Sequence, residues 1–306
     1  MPELPEVETV KKGLQKAIVG KKIVEVKILR EKSFKGSPRE IIGRTVKSVG
    51  RRAKLLIIDL DDGVFLIIHL KMTGQLIYKL KIKNEKLKTK MGPYDVDGLP
   101  NKYTRVIIDF SDGSKLFFND LRVFGWMKII KNLKLKIKND NAKLKINKTQ
   151  KLDEIIGERF GPEALGKDFT VKYLKEILGN WGRPVKVLLM DQKKIAGIGN
   201  IYANEALFCA GIAPHHRGRD LLKDHPEKVT KLHGCIRKVL KDGIKYGGST
   251  ASDDAFRNVK GEKGKMQDHL RVYAKAGEDC LNKCGKKIRR MTLGGRGTFF
   301  CPKCQR

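Results

Sequence analysis

The sequence predicts an α+β protein of several domains: an antiparallel β-sheet domain first, helices in the second half and a metal-binding β-hairpin at the end. Three observations predict this fold class. Short runs between residues 23 and 130 alternate like strands, and helical periodicity dominates beyond about residue 153. Four of the six cysteines lie among the last 27 residues. With 306 residues, the chain can bury two modest cores.

The first half begins with a helix and continues as strands. Apolar residues recur with a helical period between residues 5 and 19, and Gly20 ends the pattern. Two Asp-Gly turn signals, at 62–63 and 112–113, separate runs with strand alternation. We expect strands of an antiparallel sandwich or barrel at 23–29, 54–60, 64–70, 75–82, 104–110, 115–119 and 126–130.

Two lysine-rich stretches, 79–102 and 131–151, depart from this pattern, and both contain Leu-Lys-Ile-Lys-Asn. The alternation can extend strands into a basic hairpin, or the stretches can form loops that hold phosphates. The residues leave both alternatives open.

Helices are expected in the second half. Thr170 can cap one helix, Asn200 can open another that runs to Gly211, and Pro226 can start a longer one that ends at Gly247. The polar stretch 249–267 has the composition of a loop. A β-rich half followed by a helical half implies two domains with a groove between them.

The charge is strongly one-sided. Lysine and arginine total 66 against 34 aspartate and glutamate residues, a formal net charge of +32. This excess indicates a polyanionic partner and favours nucleic acid over a membrane surface. The sequence has neither an 18-residue apolar run nor the pattern of a signal peptide, so we expect a soluble, cytoplasmic protein.

The six cysteines fall into two groups. Cys209 and Cys235 lie in apolar helical contexts, where we expect inert core thiols. Two thiolate pairs on a hairpin supply the four soft ligands of a tetrahedral Zn²⁺, which leaves no open position and makes the ion structural. These pairs, separated by 16 residues, are Cys280-x3-Cys284 and Cys301-x2-Cys304.

Pro2 carries the most specific chemical signal. Removal of the initiator Met would free its secondary α-amine, which is far less basic than lysine and partly unprotonated near neutrality. Such an amine can attack an aldehyde-level sugar carbon to give an iminium, an electron sink for the neighbouring carbons. Glu3 lies beside it as a candidate proton donor and acceptor.

Six motifs occur in one order along nearly the whole chain. They are Met-Pro-Glu-Leu-Pro-Glu-Val-Glu-Thr at 1–9, Arg-Arg-Ala-Lys at 51–54, His-Leu-Lys-Met-Thr-Gly at 69–74, Asp-Leu-Arg-Val-Phe-Gly at 120–125, Gly-Ile-Gly-Asn-Ile-Tyr-Ala at 197–203 and the four-cysteine hairpin. In these motifs the sequence resembles the formamidopyrimidine-DNA glycosylases, bacterial repair enzymes for oxidised purines. The resemblance implies an N-terminal antiparallel β-sandwich with flanking helices, a helix–two-turn–helix DNA-binding domain and a zinc-finger β-hairpin with one structural zinc ion. It also implies a monomer whose partner is double-stranded DNA containing oxidised bases or abasic sites.

The resemblance assigns roles in the reaction. Pro2 would be the Schiff-base nucleophile, and Glu3 the general acid that assists departure of the base. Lys54 matches the family's donor for β-elimination, and Arg296 its donor for δ-elimination. A cation beside a scissile phosphate stabilises charge on the leaving group, a role that suits arginine better than proton donation.

Further residues match DNA contacts of the family. Met72, Arg122 and Phe124 correspond to the trio that fills the void left by an extruded nucleotide. Other DNA-contacting positions of the family, mostly phosphate contacts, correspond to Tyr103, Lys186 and Asn200.

Three positions depart from the family pattern. The first cysteine pair has three intervening residues rather than two, which zinc tolerates. Val123 stands where a second arginine is common, so one phosphate or positioning contact would be lost. Tyr103 occupies a position that is often histidine in the family. The Tyr103 hydroxyl would have to replace the bond that this histidine makes to DNA.

We therefore expect a catalytic β-sandwich domain at 1–152, a helix–two-turn–helix domain at 153–248, a lesion-recognition loop at 249–267 and a zinc finger at 268–306. The implied activity is a bifunctional DNA glycosylase and abasic-site lyase. One alternative is an endonuclease VIII-like glycosylase for oxidised pyrimidines. Leu4 and Val7 argue against it, because they favour the purine branch. The other is a non-catalytic zinc-containing DNA-binding protein, against which the intact Pro2, Glu3 and Lys54 argue.

Overall fold

A computed structural model of the chain describes residues 1–80, 95–96, 98–131, 153–154, 157–250 and 255–306. The chain divides into two compact units, Met1–Glu158 with Tyr246–Lys265, and Arg159–Lys245 with Met266–Arg306. Most of the two lysine-rich stretches, and residues 251–254 of the predicted loop, lie outside the described residues.

The first unit begins with helix α1 (Leu4–Ile18), which the apolar periodicity predicts. Its start is closed by a capping box: Glu6 Oε2 accepts a hydrogen bond from the backbone N of Glu3 at 2.9 Å, and the Glu3 side chain accepts one from the backbone of Glu6. Pro5 lies in the first turn, where a missing N–H costs no helical hydrogen bond. The N-terminal residues are therefore held by a rigid helix start.

Two β-sheets follow. Their strands are β1 (Ile23–Ile28), β2 (Phe34–Lys35), β3 (Val46–Arg52), β4 (Leu55–Leu60), β5 (Phe65–His69), β6 (Gly74–Lys79), β7 (Thr104–Phe110), β8 (Lys115–Asp120) and β9 (Trp126–Ile130). One sheet has the order β1-β7-β8-β6, the other β2-β9-β5-β4-β3. The described pairs are antiparallel except the two-residue β2–β9 pair.

Apolar residues of both sheets and of α1 form one core. Val106 and Leu116 of the first sheet share it with Leu56 and Ile68 of the second, and all four are buried. Val10 contributes from α1. Burial of alternate strand residues between two sheets is the arrangement of a β-sandwich, so the predicted fold of this unit is confirmed.

Strands β2 and β3 are not predicted by the sequence. In β3, Lys47, Gly50 and two arginines interrupt the apolar alternation. The strand forms because it pairs with β4 from Val46 opposite Leu60 to Arg52 opposite Leu55. Pairing with a neighbour, rather than intrinsic propensity, defines this strand.

The second unit is helical and ends in a hairpin. Its described helices and strands are α2 (Val171–Gly179), α3 (Val185–Met190), α4 (Asn200–Ala210), α5 (Gly218–Asp224), α6 (Pro226–Lys245), β10 (Arg289–Leu293) and β11 (Arg296–Phe300). The predicted cap is present, since Thr170 Oγ1 accepts from the backbone N of Tyr173 at 3.1 Å. Gly211 ends α4 with a φ of 74°, also as predicted. Helices α3 and α5, with six and seven residues, are too short to show a clear period.

The expectation of inert thiols at Cys209 and Cys235 is wrong, because the two cysteines form a disulfide. Helices α4 and α6 pack together so closely that a Cβ on Gly243 would lie 2.5 Å from the hydroxyl of Tyr202. This packing brings the two cysteine Cα atoms to 5.8 Å, within the range of a disulfide. Periodicity along the chain does not show a pairing between helices.

Within the described residues, no helix combines the length and apolar character that crossing a bilayer requires.

Candidate active site

The two candidate residues at the N-terminus are buried at the start of α1. Pro2 is buried, and Glu3 is only 2 % exposed. Glu6 joins this start to the segment 246–265, because its Oε1 accepts a hydrogen bond from the backbone N of Ser249 at 2.7 Å. Gly248 precedes that contact with a φ of 85°, and a Cβ there would lie 3.0 Å from Cγ of Glu6. A glycine is therefore required where this segment approaches the helix.

Lys54 lies in the tight turn between β3 and β4. Arg52 pairs with Leu55, so Ala53 and Lys54 form a two-residue hairpin connection. Lys54 is 7 % exposed. Two paired strands of the sandwich hold this turn at both ends. They therefore fix the position from which the charged Lys54 side chain extends.

His69 lies opposite Leu55 in the next strand pair and is kept neutral. Burial, with repulsion from Lys71 and Lys54, lowers the pKa of His69 to about 3. Its Nδ1 accepts a hydrogen bond from the backbone N of Lys71 at 3.0 Å. The imidazole therefore adds no positive charge beside Lys54 at neutral pH.

A buried carboxylate organises the candidate void-filling residues. Asp120 is fully buried, and its two oxygens accept hydrogen bonds from the hydroxyl of Thr73 and, at 2.7 Å, from the backbone N of Gly125. Thr73 Oγ1 in turn accepts from the backbone N of Arg122 at 3.0 Å. The loop after β5 and the loop after β8 are thereby joined, which brings the segments of Met72 and Arg122 together.

The side chains that these loops present suit insertion into DNA. Phe124 is 49 % exposed, and the Arg122 guanidinium lies 4.8 Å from the centre of its ring. Met72 is half-buried. The backbone oxygen of Tyr103 accepts a hydrogen bond from the backbone N of Asp120 at 3.0 Å, so Tyr103 contacts the same residue through its backbone.

Thr73 and Asp120 are functional candidates that the sequence reasoning missed. Both lie inside the quoted motifs, but their role is to hold other residues through buried hydrogen bonds. The only signal was their place next to Met72 and Arg122 in those motifs.

The four C-terminal cysteines form a cluster that fits a zinc ion. Their Sγ atoms all lie within 4.8 Å of one another. The Sγ atoms of Cys280 and Cys304 are 3.8 Å apart, and those of Cys284 and Cys301 are 3.5 Å apart. A tetrahedron with Zn–S bonds of about 2.3 Å has edges of roughly 3.8 Å, so four thiolates in these positions can hold the ion.

Helices α3 and α4 hold strand β11 of the same unit. The ammonium of Lys186 is fully buried and donates to Thr298 Oγ1 at 2.7 Å and to the backbone O of Gly297 at 3.2 Å. Asn200 Nδ2 donates to the same Gly297 oxygen at 3.1 Å. Arg296, the residue before Gly297, is exposed. Three residues that the sequence singles out separately, Lys186, Asn200 and Arg296, therefore meet at this strand.

Comparison with known proteins identifies the family. Residues 1–127 match the formamidopyrimidine-DNA glycosylase N-terminal domain, residues 160–255 the formamidopyrimidine-DNA glycosylase H2TH domain, and residues 277–306 the zinc finger found in FPG and IleRS. The formamidopyrimidine-DNA glycosylase of Bacillus licheniformis is 38 % identical, with 100 % of both chains covered. That of Bacillus subtilis is 36 % identical, and 100 % of this chain and 99 % of the relative are covered. The chain belongs to the formamidopyrimidine-DNA glycosylase family.

Solved structures of the family share the fold. Lactococcus lactis Fpg in complex with DNA that contains an abasic site matches with a TM-score of 0.80 and 32 % identity over 99 % of both chains. The complex of wild-type Lactococcus lactis Fpg with DNA that contains N7-benzyl-Fapy-dG matches with a TM-score of 0.81 and 32 % identity over 100 % of both chains.

Family membership confirms three predictions from the sequence. The resemblance to formamidopyrimidine-DNA glycosylases is confirmed by full-length relatives. The α+β fold with a β-sandwich, a helix–two-turn–helix domain and a terminal zinc finger is confirmed by the structures and domain matches. The zinc-finger match and the cysteine cluster together confirm one structural zinc site.

Proposed function

We propose that this chain is a bifunctional DNA glycosylase and abasic-site lyase of base excision repair, which excises oxidised purines such as 8-oxoguanine and formamidopyrimidines. The observation that carries the proposal is the start of α1, where Pro2 is the second residue and Glu3 is buried next to it. The name shared by the full-length relatives supports the activity and the class of lesion. We place the activity in the cytoplasm, on DNA.

The proposed reaction starts at the nitrogen of Pro2. After removal of Met1, its lone pair attacks C1′ of the damaged nucleotide, and the base leaves with the electrons of the glycosidic bond. Glu3 supplies the proton that assists sugar-ring opening and departure of the base. The product is a cationic iminium between Pro2 and the open sugar.

Two eliminations then release the sugar from the strand. The iminium makes the C2′ proton acidic, and its loss expels the 3′ phosphate, whose charge Lys54 stabilises. A second elimination expels the 5′ phosphate, which we assign to Arg296. Its guanidinium stays protonated, so its role is electrostatic. The strand is left with a one-nucleotide gap and a phosphate at each end.

The proposed DNA contacts come from residues of both units. Met72, Arg122 and Phe124 fill the void of the extruded nucleotide, and Tyr103 and Asn200 contact the backbone. We also propose that Lys186, which is buried and donates a hydrogen bond to Thr298, supports β11 rather than contacting a phosphate. We retain the division into domains at 1–152, 153–248, 249–267 and 268–306 as part of this proposal.

The proposal is tested by reductive trapping with the untagged protein. Borohydride should capture a covalent adduct with abasic-site DNA, and peptide mapping should place the sugar on residue 2. Pro2→Gly should reduce the adduct strongly, and residues added before Pro2 should abolish it. An adduct on a lysine would overturn the role of Pro2. No adduct at all would overturn the proposed activity and favour a non-catalytic zinc protein.

The lesion class is tested by excision from two duplexes. The protein should cleave a duplex with 8-oxoguanine faster than one with thymine glycol. A clear preference for thymine glycol would instead assign the protein to the endonuclease VIII-like branch.

A further inference from the structure

One guanidinium links helix α1 to the turn that carries Lys54. Arg51 Nε donates to Glu8 Oε2 at 3.0 Å, and Arg51 Nη1 donates to the backbone O of Ala53 at 2.7 Å. Glu8 lies on α1, the helix that begins next to Pro2 and Glu3. The connection therefore runs from the helix of the proposed nucleophile to the residue before Lys54.

Ala53, whose oxygen accepts this hydrogen bond, adopts a strained backbone conformation. Its φ is 52°, in the left-handed region that favours glycine, and the residue is fully buried. The oxygen that Arg51 binds belongs to the peptide group that also contains the backbone N of Lys54. A hydrogen bond to this oxygen fixes the orientation of that peptide plane, and the Lys54 side chain starts from it.

Glu8 keeps its charge in this position. Burial alone would raise the pKa of Glu8, but attraction and hydrogen bonds from Arg51 and Lys11 bring the pKa below its ordinary value. The Arg51 and Glu8 side chains are 12 % and 15 % exposed. A charge-assisted hydrogen bond that is mostly shielded from water is stronger and more directional than an exposed ion pair.

We propose that Arg51 and Glu8 are positioning residues, which hold the Ala53–Lys54 peptide against α1 and so fix Lys54 relative to Pro2 and Glu3. The inference rests on the proposed function, since it takes Lys54 as the cation of the first elimination. It adds that the helix of the nucleophile and the turn of Lys54 act as one assembly. Neither residue touches the substrate in this scheme; both act through the turn.

The chain offers a matched control for the contact of Arg51 with Glu8 and Ala53. Arg44 contacts the other end of the same β3–β4 hairpin, where its Nη1 donates to the backbone O of Asp61 at 3.1 Å and to Asp62 Oδ2 at 2.8 Å. It therefore joins a backbone oxygen and a carboxylate as Arg51 does, but away from Lys54. Arg44→Gln removes the same kind of contact without altering the turn of Lys54.

The experiment compares two steps on abasic-site DNA under single-turnover conditions. Borohydride adduct yield reports attack by Pro2, and the rate of strand cleavage reports β-elimination. Arg51→Gln should slow cleavage about 10- to 100-fold while the adduct yield stays within about twofold of wild type, because a misplaced cation affects only the later step. Arg51→Lys should restore part of the rate. Glu8→Gln, which keeps an acceptor but loses the charge, should slow cleavage by about fivefold.

The outcomes separate this inference from the proposed function. Cleavage by Arg51→Gln at the wild-type rate, or equal losses in Arg51→Gln and Arg44→Gln, would overturn the positioning role alone. A wild-type protein that forms no adduct would overturn the proposed function and the inference with it. If Arg51→Gln does not fold, Glu8→Gln and Arg51→Lys test the positioning role instead. The measure is again the rate of strand cleavage relative to the yield of adduct.

Discussion

The ammonium of Lys186 donates a 2.7 Å hydrogen bond to the hydroxyl of Thr298, and no part of the lysine is exposed. The same ammonium and Asn200 Nδ2 both donate to the backbone oxygen of Gly297. The backbone on the C-terminal side of Arg296 is thus held by side chains from α3 and α4. Because a buried ammonium is costly without partners, this contact couples the conformation of β11 to the helices.

Replacement of this lysine tests whether it supports β11 or binds phosphate. Lys186→Met should lower the free energy of unfolding by about 1–3 kcal/mol, because Thr298 and Gly297 lose a charged donor. The slope of log binding constant against log salt should stay unchanged, as measured by titration of abasic-site DNA at several salt concentrations. A slope smaller by about 1 would instead show that Lys186 neutralises a phosphate.

The Cys209–Cys235 disulfide should stabilise the helical unit. It closes a loop with a sequence separation of 26, for which chain entropy gives about 3.5 kcal/mol. Cys209→Ser, Cys235→Ser and the double variant should therefore lose similar free energies of unfolding in chemical denaturation, because any one change removes the whole cross-link. Two results would contradict the cross-link. One is that the losses in free energy of unfolding add up in the double variant. The other is that mass spectrometry finds six free thiols after alkylation of the denatured wild type.

Gly125 should tolerate no side chain. A Cβ there would lie 2.7 Å from Cζ of Phe118 and 3.1 Å from the backbone O of His69. Gly125→Ala should lower the free energy of unfolding by about 1–3 kcal/mol through overpacking, and should weaken DNA binding by disturbing the Arg122 loop. Gly234→Ala is the matched control: no described residue lies within 4 Å of a Cβ added there in helix α6, so stability should rise by up to about 1 kcal/mol. Equal effects of the two changes would refute the packing argument.

His69 should make stability depend on acid pH. Its pKa is lowered from 6.5 to about 3 by burial and by Lys71 and Lys54, so the unfolded chain binds more protons between these values. The stability that neutral His69 contributes is complete above pH 6.5 and is lost as pH falls toward 3. His69→Asn, which keeps an acceptor for the backbone N of Lys71, should flatten the pH slope of the unfolding free energy by up to about 1.4 kcal/mol per pH unit.

Denaturant unfolding at pH 7, 6, 5 and 4 measures this difference. His225→Asn is the control, because it makes the same substitution at a histidine whose side chain is 41 % exposed. A slope that is the same in wild type and His69→Asn would show that His69 takes up its proton without unfolding.

Local patterns were sufficient for the elements with a strong period or a clear end signal. Helix α1, the cap at Thr170 and the end of α4 at Gly211 follow from side chains within a few residues. The zinc ligands were predictable for the same reason, since each cysteine pair is contiguous and only the hairpin between them must fold. Strand β3 was not predictable from local patterns, because it forms by pairing with β4.

The sequence alone determined the residues on which the proposed chemistry depends: a proline at position 2, a neighbouring glutamate, four zinc-binding thiols and a large positive charge are properties of residue type and order. The tertiary structure alone decided which side chains support them. Asp120 beneath the Arg122 loop, Lys186 against Thr298, Arg51 between Glu8 and Ala53, and the bond from Cys209 to Cys235 join positions far apart or on different elements. The reason is physical: buried hydrogen bonds and cross-links are specified by the packing of elements, which a one-dimensional pattern does not contain.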